Sequence, residues 1–117
     1  MKPLTVDEMR ALQLELHEAY EDEWAPLCPD EAVSCLLWTL GEAGEMIDIL
    51  KKEGAGAAAC NPKIHARFAE EACDLLMHLM DTLLCLNVTP EEIAESFRTK
   101  QKRNLFRWKK ESKGECL

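Results

Sequence analysis

Apolar residues recur at intervals of three and four in four stretches of the chain, which is the period of an α-helix. The first stretch follows Thr5-Val6-Asp7-Glu8 and the fourth follows Thr89-Pro90-Glu91-Glu92. In both, a threonine is followed three residues later by a glutamate, which is the capping-box signature of a helix N-terminus. No segment shows the alternating pattern of a β-strand. The sequence therefore predicts an all-α fold, a four-helix bundle-like domain.

Breaking and capping residues separate the helices. The stretch from Gly54 to Ala59 is rich in small residues and is predicted to be a flexible connector. The other boundary signals are Pro26 and Pro29 after the first helix, Asp30 as N-cap of the second, Gly54 at its end, Asn61-Pro62 at the start of the third, and Asn87 near its end.

The third helix is apolar on more than one side, whereas a helix with one solvated face needs a single apolar stripe. This breadth predicts that the helix is central and that other helices or a second subunit cover it, and we favour a second subunit because 117 residues offer few other helices. Self-association with two-fold symmetry is the commonest solution. We expect a homodimer, or a homotetramer formed by two dimers, that buries Leu75, Leu76, Leu79, Met80, Leu83 and Leu84.

The length of 117 residues suits a single domain, with a core at about residues 5–108 and a basic C-terminal tail at 109–117. The net charge of −8 argues against general binding to nucleic acids or anionic membranes, although eight of the 14 basic residues lie in the last twenty. The sequence lacks both an N-terminal apolar signal region and 18 consecutive uncharged apolar residues, so we expect a cytoplasmic protein. Its six cysteines form no CxxC pair, and we expect free thiols.

Two acidic motifs carry the chemistry: Glu42-Ala-Gly-Glu45 and Glu71-Ala-Cys-Asp74. Each places two carboxylates three residues apart, on one face of a helix that is otherwise apolar. Carboxylates about 5 Å apart repel by about 3 kcal/mol per pair at an effective dielectric constant near 20. A fold keeps such charges together when they are solvated, protonated or neutralised by a cation. Oxygen ligands favour Mg²⁺, with Mn²⁺ as a substitute.

Three neighbouring features strengthen this interpretation. Gly41 precedes the first motif and Gly44 lies within it, and each costs about 1 kcal/mol relative to alanine in a helix interior. They indicate either close helix packing or clearance for a ligand. Trp38 lies one turn before Glu42 and is either a core residue or a surface on which a base stacks. His78 lies one turn beyond the second motif.

A basic stripe on the fourth helix consists of Lys100, Arg103, Asn104 and Arg107. Its spacing of three and four residues places these side chains on one face, where they suit phosphate oxygens. A basic helix end that favours the helix macrodipole is an equally good explanation. The opposite side is expected to be apolar, with Ile93, Phe97, Leu105 and Trp108.

Together these motifs resemble the MazG-like, all-α nucleoside triphosphate pyrophosphohydrolases. Trp38-Thr39-Leu40-Gly41-Glu42-Ala43-Gly44-Glu45 is similar to the first motif of that family, and Phe68-Ala69-Glu70-Glu71-Ala72-Cys73-Asp74-Leu75-Leu76 to the second. The Lys-x-x-x-Asn-x-x-Arg segment from Lys100 to Arg107 is similar to the third. The likeness extends from about residue 36 to residue 108.

The resemblance implies Mg²⁺-dependent cleavage of a (deoxy)nucleoside triphosphate to the monophosphate and pyrophosphate, in the removal of unwanted nucleotides. It also implies dimers or tetramers built around the acidic helices. By resemblance, Glu42, Glu45, Glu71 and Asp74 hold the metal, and Glu42 is also the general base. The substrate-binding residues would be Trp38, His78, Lys100, Asn104, Arg107, His17 and Trp24. The preferred base stays open between pyrimidines, such as those of dCTP and dUTP, and a damaged base.

Two other classes of function are compatible with a helical bundle. A di-iron carboxylate protein would need Glu-x-x-His motifs, but Glu71 is followed three residues later by Asp74. A catalytically idle bundle that acts as a partner or regulator would release no pyrophosphate from any triphosphate.

Overall fold

A computed structural model describes residues 1–112 of the chain, with the side chains of residues 1–107. Within this part the chain forms five α-helices and one 3-10 helix, and no strand, which confirms the all-α prediction. The predicted tail at 109–117, the side chain of Trp108 and Cys116 lie outside the part for which side chains are described. The elements are α1 (Val6–Ala19), the 3-10 helix (Pro29–Glu31), α2 (Ala32–Glu53), α3 (Ala55–Cys60), α4 (Pro62–Cys85) and α5 (Pro90–Ser112).

The chain divides into two compact units, residues 1–87 and the residues from 88 onward. In the first unit, α4 contacts α1, α2, α3 and the 3-10 helix, and its longest interface is with α2. This agrees with the central position that its apolar breadth predicts. The second unit contains α5.

The predicted start signals of three helices are confirmed. At α1 the Thr5 hydroxyl accepts from the Glu8 amide at 3.1 Å, and the Glu8 carboxylate accepts from the Thr5 amide at 2.9 Å. Asn61 caps α4 by accepting from two backbone amides, with Pro62 at the first helical position. At α5 the Thr89 hydroxyl accepts from the Glu92 amide at 3.1 Å. These bonds satisfy donors that a helix N-terminus leaves unpaired.

Two boundary predictions are wrong. The connector predicted to be flexible contains α3, because its alanines are the strongest helix formers and Ala58 is buried. Gly54 separates α3 from α2 with a φ of 87°, which is the left-handed region that favours glycine. Asp30 does not cap α2, since it lies inside the 3-10 helix and α2 begins after Glu31 without a side-chain cap.

The buried apolar core of the described part is small, and it consists of Ala32, Ile49, Ala58, Met80 and Cys85. Of the six α4 residues expected at a subunit interface, Met80 is buried and only Leu76 is classed as exposed. The broader exposed apolar surface lies instead on α2, and we call it the α2 outer face: Val33, Leu36, Leu37, Leu40 and Ile47.

Gly41 and Gly44 do not mark close packing within the chain. Apart from the adjacent residues and the nearby backbone of α2 itself, no heavy atom of the described residues lies within 4 Å of the place that a Cβ atom would take at either position.

No single helix of the described part is long and apolar enough to cross a membrane. One bent pair of consecutive helices, Pro62–Cys85 and Pro90–Arg107, together meets the length and composition expected of a membrane span, and by length and composition only.

Candidate functional site

The packing of α2 against α4 brings three of the predicted acidic residues together. Ligand oxygens of Glu42, Glu71 and Asp74 all lie within 4.8 Å of one another, and each residue is half-buried. We call these three residues the acid cluster. Glu42 comes from the first motif, and the other two come from the second. No lysine or arginine among the described side chains forms an ion pair with this cluster.

Within the acid cluster, the Glu42 carboxylate affects the pKa of Glu71. The hydrogen bond between Glu71 and Glu42 raises the pKa of the Glu71 carboxyl above its ordinary value of 4.5. Burial raises this pKa further, as do the charges of Glu42, Asp74 and Glu45. Two carboxyl groups can form such a bond only when one of them holds a proton, so the fold favours the protonated form of Glu71 more than an isolated glutamate would.

Glu45, the fourth predicted metal ligand, lies at the edge of the acid cluster. Its charge contributes to the raised pKa of Glu71, but its carboxylate is not within the 4.8 Å group. It lines a separate small cavity of about 120 Å³ beside Lys52, Arg67 and Glu71.

His78 and Trp38 adjoin the acid cluster on opposite helices. The Nε2 atom of His78 lies 3.6 Å from Oε1 of Glu42. The rings of Trp38 and His78 stack with a centroid distance of 5.8 Å and an interplanar angle of 19°. Trp38 is 62% exposed. The interpretation of this residue as a core tryptophan is therefore wrong.

A cavity of about 450 Å³ extends from Asp74 along α4, between that helix, α1 and α2. Its size lies within the range of small-molecule sites. His17, Trp24, Trp38 and His78 all line it, so the cavity brings together the four predicted residues that carry rings. His17 contacts the edge of Trp24 at a centroid distance of 5.1 Å.

The wall of this cavity includes two polar residues that the sequence did not single out. Gln13 and Asp81 are buried, and the Gln13 Nε2 amide donates to Asp81 Oδ1 at 2.8 Å. The Nε2 atom of His17 lies 3.1 Å from the same oxygen, without the alignment of a hydrogen bond. One signal could have identified Asp81: it shares a helix face with Asp74 and His78, at spacings of seven and three residues.

The Cys35 thiol in the cavity wall and its neighbour Cys85 are poor candidates for chemistry. The Sγ atoms of Cys35 and Cys85 are 3.8 Å apart. Burial, and then the contact with Cys85, raises the pKa of the Cys35 thiol to about 12, and burial also raises that of Cys85. Both thiols are therefore protonated at neutral pH and are weak nucleophiles and metal ligands. The described cysteines are all free, as expected.

The predicted phosphate-binding residues lie on α5, in the second unit. Lys100 and Asn104 line a surface cavity of about 420 Å³ together with Phe97 and Leu105. Phe97 and Leu105 therefore lie beside the basic stripe. The prediction that they lie on the opposite side of the helix is wrong. Arg107 is exposed.

Comparisons of the chain with protein families, with curated proteins and with solved structures found no match.

Proposed function

We propose that this protein is a Mg²⁺-dependent nucleoside triphosphate pyrophosphohydrolase of the MazG-like type. The observation that carries the proposal is the convergence of Glu42, Glu71 and Asp74, together with the aromatic cavity that Asp74 lines. Oxygen ligands alone suit a hard cation, and flat aromatic surfaces suit a nucleobase. The two requirements of a nucleotide hydrolase thus lie side by side on α2 and α4.

The donor set fits a divalent cation. Glu42, Glu71 and Asp74 would hold it, with Glu45 at the edge, and Mn²⁺ could replace Mg²⁺ since both prefer carboxylate oxygens. Any proton held by Glu71 would be displaced by the cation, because metal ligands must be deprotonated. When bound, the cation neutralises charge on the phosphates and lowers the pKa of a coordinated water.

Glu42 is the proposed general base. Its carboxylate would take the proton of the attacking water, which adds to phosphorus in line with the departing pyrophosphate. His78 Nε2 lies 3.6 Å from Glu42 Oε1, which is beyond hydrogen-bonding distance, so His78 is a neighbour of that carboxylate and not its hydrogen-bond donor.

The 450 Å³ cavity is the proposed site for the base, with Trp24, Trp38, His17 and His78 as its aromatic surfaces. Lys100, Asn104 and Arg107 are proposed to contact the phosphates, where a charge-assisted hydrogen bond is stronger than a neutral one.

The proposal includes a homodimer or homotetramer in the cytoplasm that acts on free nucleotides, without nucleic acid or membrane as a partner. The net charge of −8 argues against nucleic acids and anionic membranes as partners. The exposed α2 outer face supports self-association.

A panel of common and modified nucleoside triphosphates tests the function. We expect Mg²⁺-dependent release of pyrophosphate and a monophosphate from at least one of them. Phosphorus NMR monitors the reaction, because it distinguishes pyrophosphate from orthophosphate. Release of orthophosphate alone would contradict the proposed bond cleavage. A protein that cleaves no member of the panel would be the catalytically idle bundle.

A further inference from the structure

Asp81 is a buried carboxylate at the far end of the cavity from the acid cluster. It is 8% exposed, and its Oδ1 atom has Gln13 and His17 as neighbours at 2.8 and 3.1 Å. Among the described residues no lysine or arginine pairs with it, and Oδ2 accepts no hydrogen bond. The buried polar side-chain atoms without a partner in the described part are Arg10 Nε and His17 Nε2, so Oδ2 of Asp81 is an accessible oxygen with unused acceptor capacity.

Asp81 lies at a distance from the acid cluster that lets a bound nucleotide reach both. Asp74, His78 and Asp81 all line the cavity and share one face of α4. Seven residues of α-helix, from Asp74 to Asp81, span roughly 10 Å along the axis. A nucleotide whose phosphates lie at the acid cluster would therefore extend its base past His78 and Trp38 toward Asp81.

A carboxylate distinguishes bases by what they carry on their pairing edge. An ionised Asp accepts hydrogen bonds and donates none, and in nucleic-acid recognition it pairs with the exocyclic amine of cytosine. Cytosine and adenine both carry an amine next to a ring nitrogen. Uracil, thymine and hypoxanthine carry an oxygen at that place, whose partial negative charge opposes a carboxylate.

We propose that Asp81, held in place by Gln13, is a specificity-determining residue that accepts a hydrogen bond from the exocyclic amine of cytosine or adenine. This inference rests on the proposed function, since it assigns the base end of that substrate. Gln13 orients the carboxylate by occupying Oδ1, which leaves Oδ2 for the ligand. Bases with an oxygen at the amine position are disfavoured, because that oxygen is a second acceptor opposite the carboxylate, and their ring N–H lies one atom away from the place of the amine.

Two pairs of substrates test the assignment, dCTP against dUTP and dATP against dITP, because the members of each pair differ only in the amine, which is replaced by an oxygen, and in the hydrogen that the adjacent ring nitrogen then carries. We expect the wild type to favour the amine-bearing member of at least one pair by about ten-fold or more in kcat/KM. The pair with the larger ratio identifies the base. Asp81→Asn, whose amide can donate to an oxygen, should reduce that ratio by about ten-fold or more.

A merely structural role for Asp81 predicts a different result. It would lower kcat/KM equally for both members of a pair and leave the ratio unchanged. Asp22→Asn removes one negative charge at an exposed position and serves as the control, with the wild-type ratio expected. Equal rates within both wild-type pairs, or an unchanged ratio in Asp81→Asn, would overturn the assignment.

Binding of non-hydrolysable α,β-imido analogues of dCTP, dUTP, dATP and dITP, measured by calorimetry, separates this inference from the proposed function. A protein that hydrolyses no triphosphate but binds an amine-bearing analogue more tightly, with the preference lost in Asp81→Asn, would retain the Asp81 assignment and lose the hydrolase. Absence of binding to all four analogues would overturn both.

Discussion

The hydrogen bond between Glu71 and Glu42 makes the acid cluster sensitive to pH. The raised pKa of Glu71 belongs to the folded state, whereas the unfolded chain titrates near the ordinary value of 4.5. Above that value the folded protein binds more protons than the unfolded chain. The contribution of Glu71 to the free energy of unfolding is therefore full below pH 4.5 and is lost as the pH rises through the folded pKa.

A glutamine at position 71 should remove this loss, because it does not titrate. We expect the melting temperature of the metal-free wild type, compared with that of Glu71→Gln, to fall as the pH is raised from about 4 to about 7. Glu70→Gln is the matched control, since Glu70 is exposed and is not a member of the acid cluster. Thermal unfolding in the presence of a chelator measures the difference. Parallel pH profiles for wild type and Glu71→Gln would contradict the raised pKa of Glu71.

Helix ends were the most predictable elements, and buried polar contacts were the least. The caps at Thr5, Asn61 and Thr89 depend on bonds within three residues, so the local sequence determines them. The helix α3 was missed because a run of small residues is compatible with a connector until Ala58 is buried by other helices. Such burial is a tertiary effect that the local pattern does not contain.

In the candidate site, too, the features set by local spacing were predictable and those set by packing were not. Acidic pairs at three-residue spacing predicted that α2 and α4 would each present carboxylates on one face, and three of the four residues meet. Glu45 lies at the edge because the position of α2 along α4 is set by packing. Asp81 was missed because its significance depends on Gln13, which is 68 residues away in sequence.

The basic stripe on α5 gives a prediction for that helix. If Lys100 and Arg107 hold phosphate oxygens, Lys100→Ala and Arg107→Ala should each lower kcat/KM by about ten-fold or more, since a charge-assisted hydrogen bond is worth about 1.5–3 kcal/mol. Lys102→Ala removes a cation on the same helix outside the stripe and should retain wild-type kinetics. Steady-state pyrophosphate release measures the effect. Equal kinetics for all three variants would indicate an ordinary solvated helix.

For the whole molecule, the small core and the α2 outer face favour self-association. None of the described side chains is less than 2% exposed, whereas Val33, Leu37 and Leu40 are 71%, 61% and 64% exposed. Gly44 lies on the same side of the helix, at the helical spacing of four residues from Leu40. A contiguous apolar surface of this kind marks an interface more often than a free surface.

We therefore expect a homodimer of about 27 kDa, twice the 13.3 kDa chain, or a homotetramer, at micromolar concentration. Leu40→Glu should weaken association, because it places a charge in the α2 outer face. Ala11→Glu adds the same charge at an exposed position of α1 and should not. Light scattering after size-exclusion chromatography measures the mass. A monodisperse wild-type monomer that is fully active would contradict the proposed assembly.

The central claim is that the acid cluster holds the cation on which triphosphate hydrolysis depends. It is tested most directly by the initial rate of pyrophosphate release during a Mg²⁺ titration of wild type, Glu71→Gln and Glu70→Gln, with the best substrate of the panel. We expect saturation by Mg²⁺ in wild type and Glu70→Gln, and loss of at least about 99% of the rate in Glu71→Gln. Thermal unfolding would establish that this variant is folded. Mg²⁺-dependent turnover in a folded Glu71→Gln at the rate of Glu70→Gln would contradict the claim.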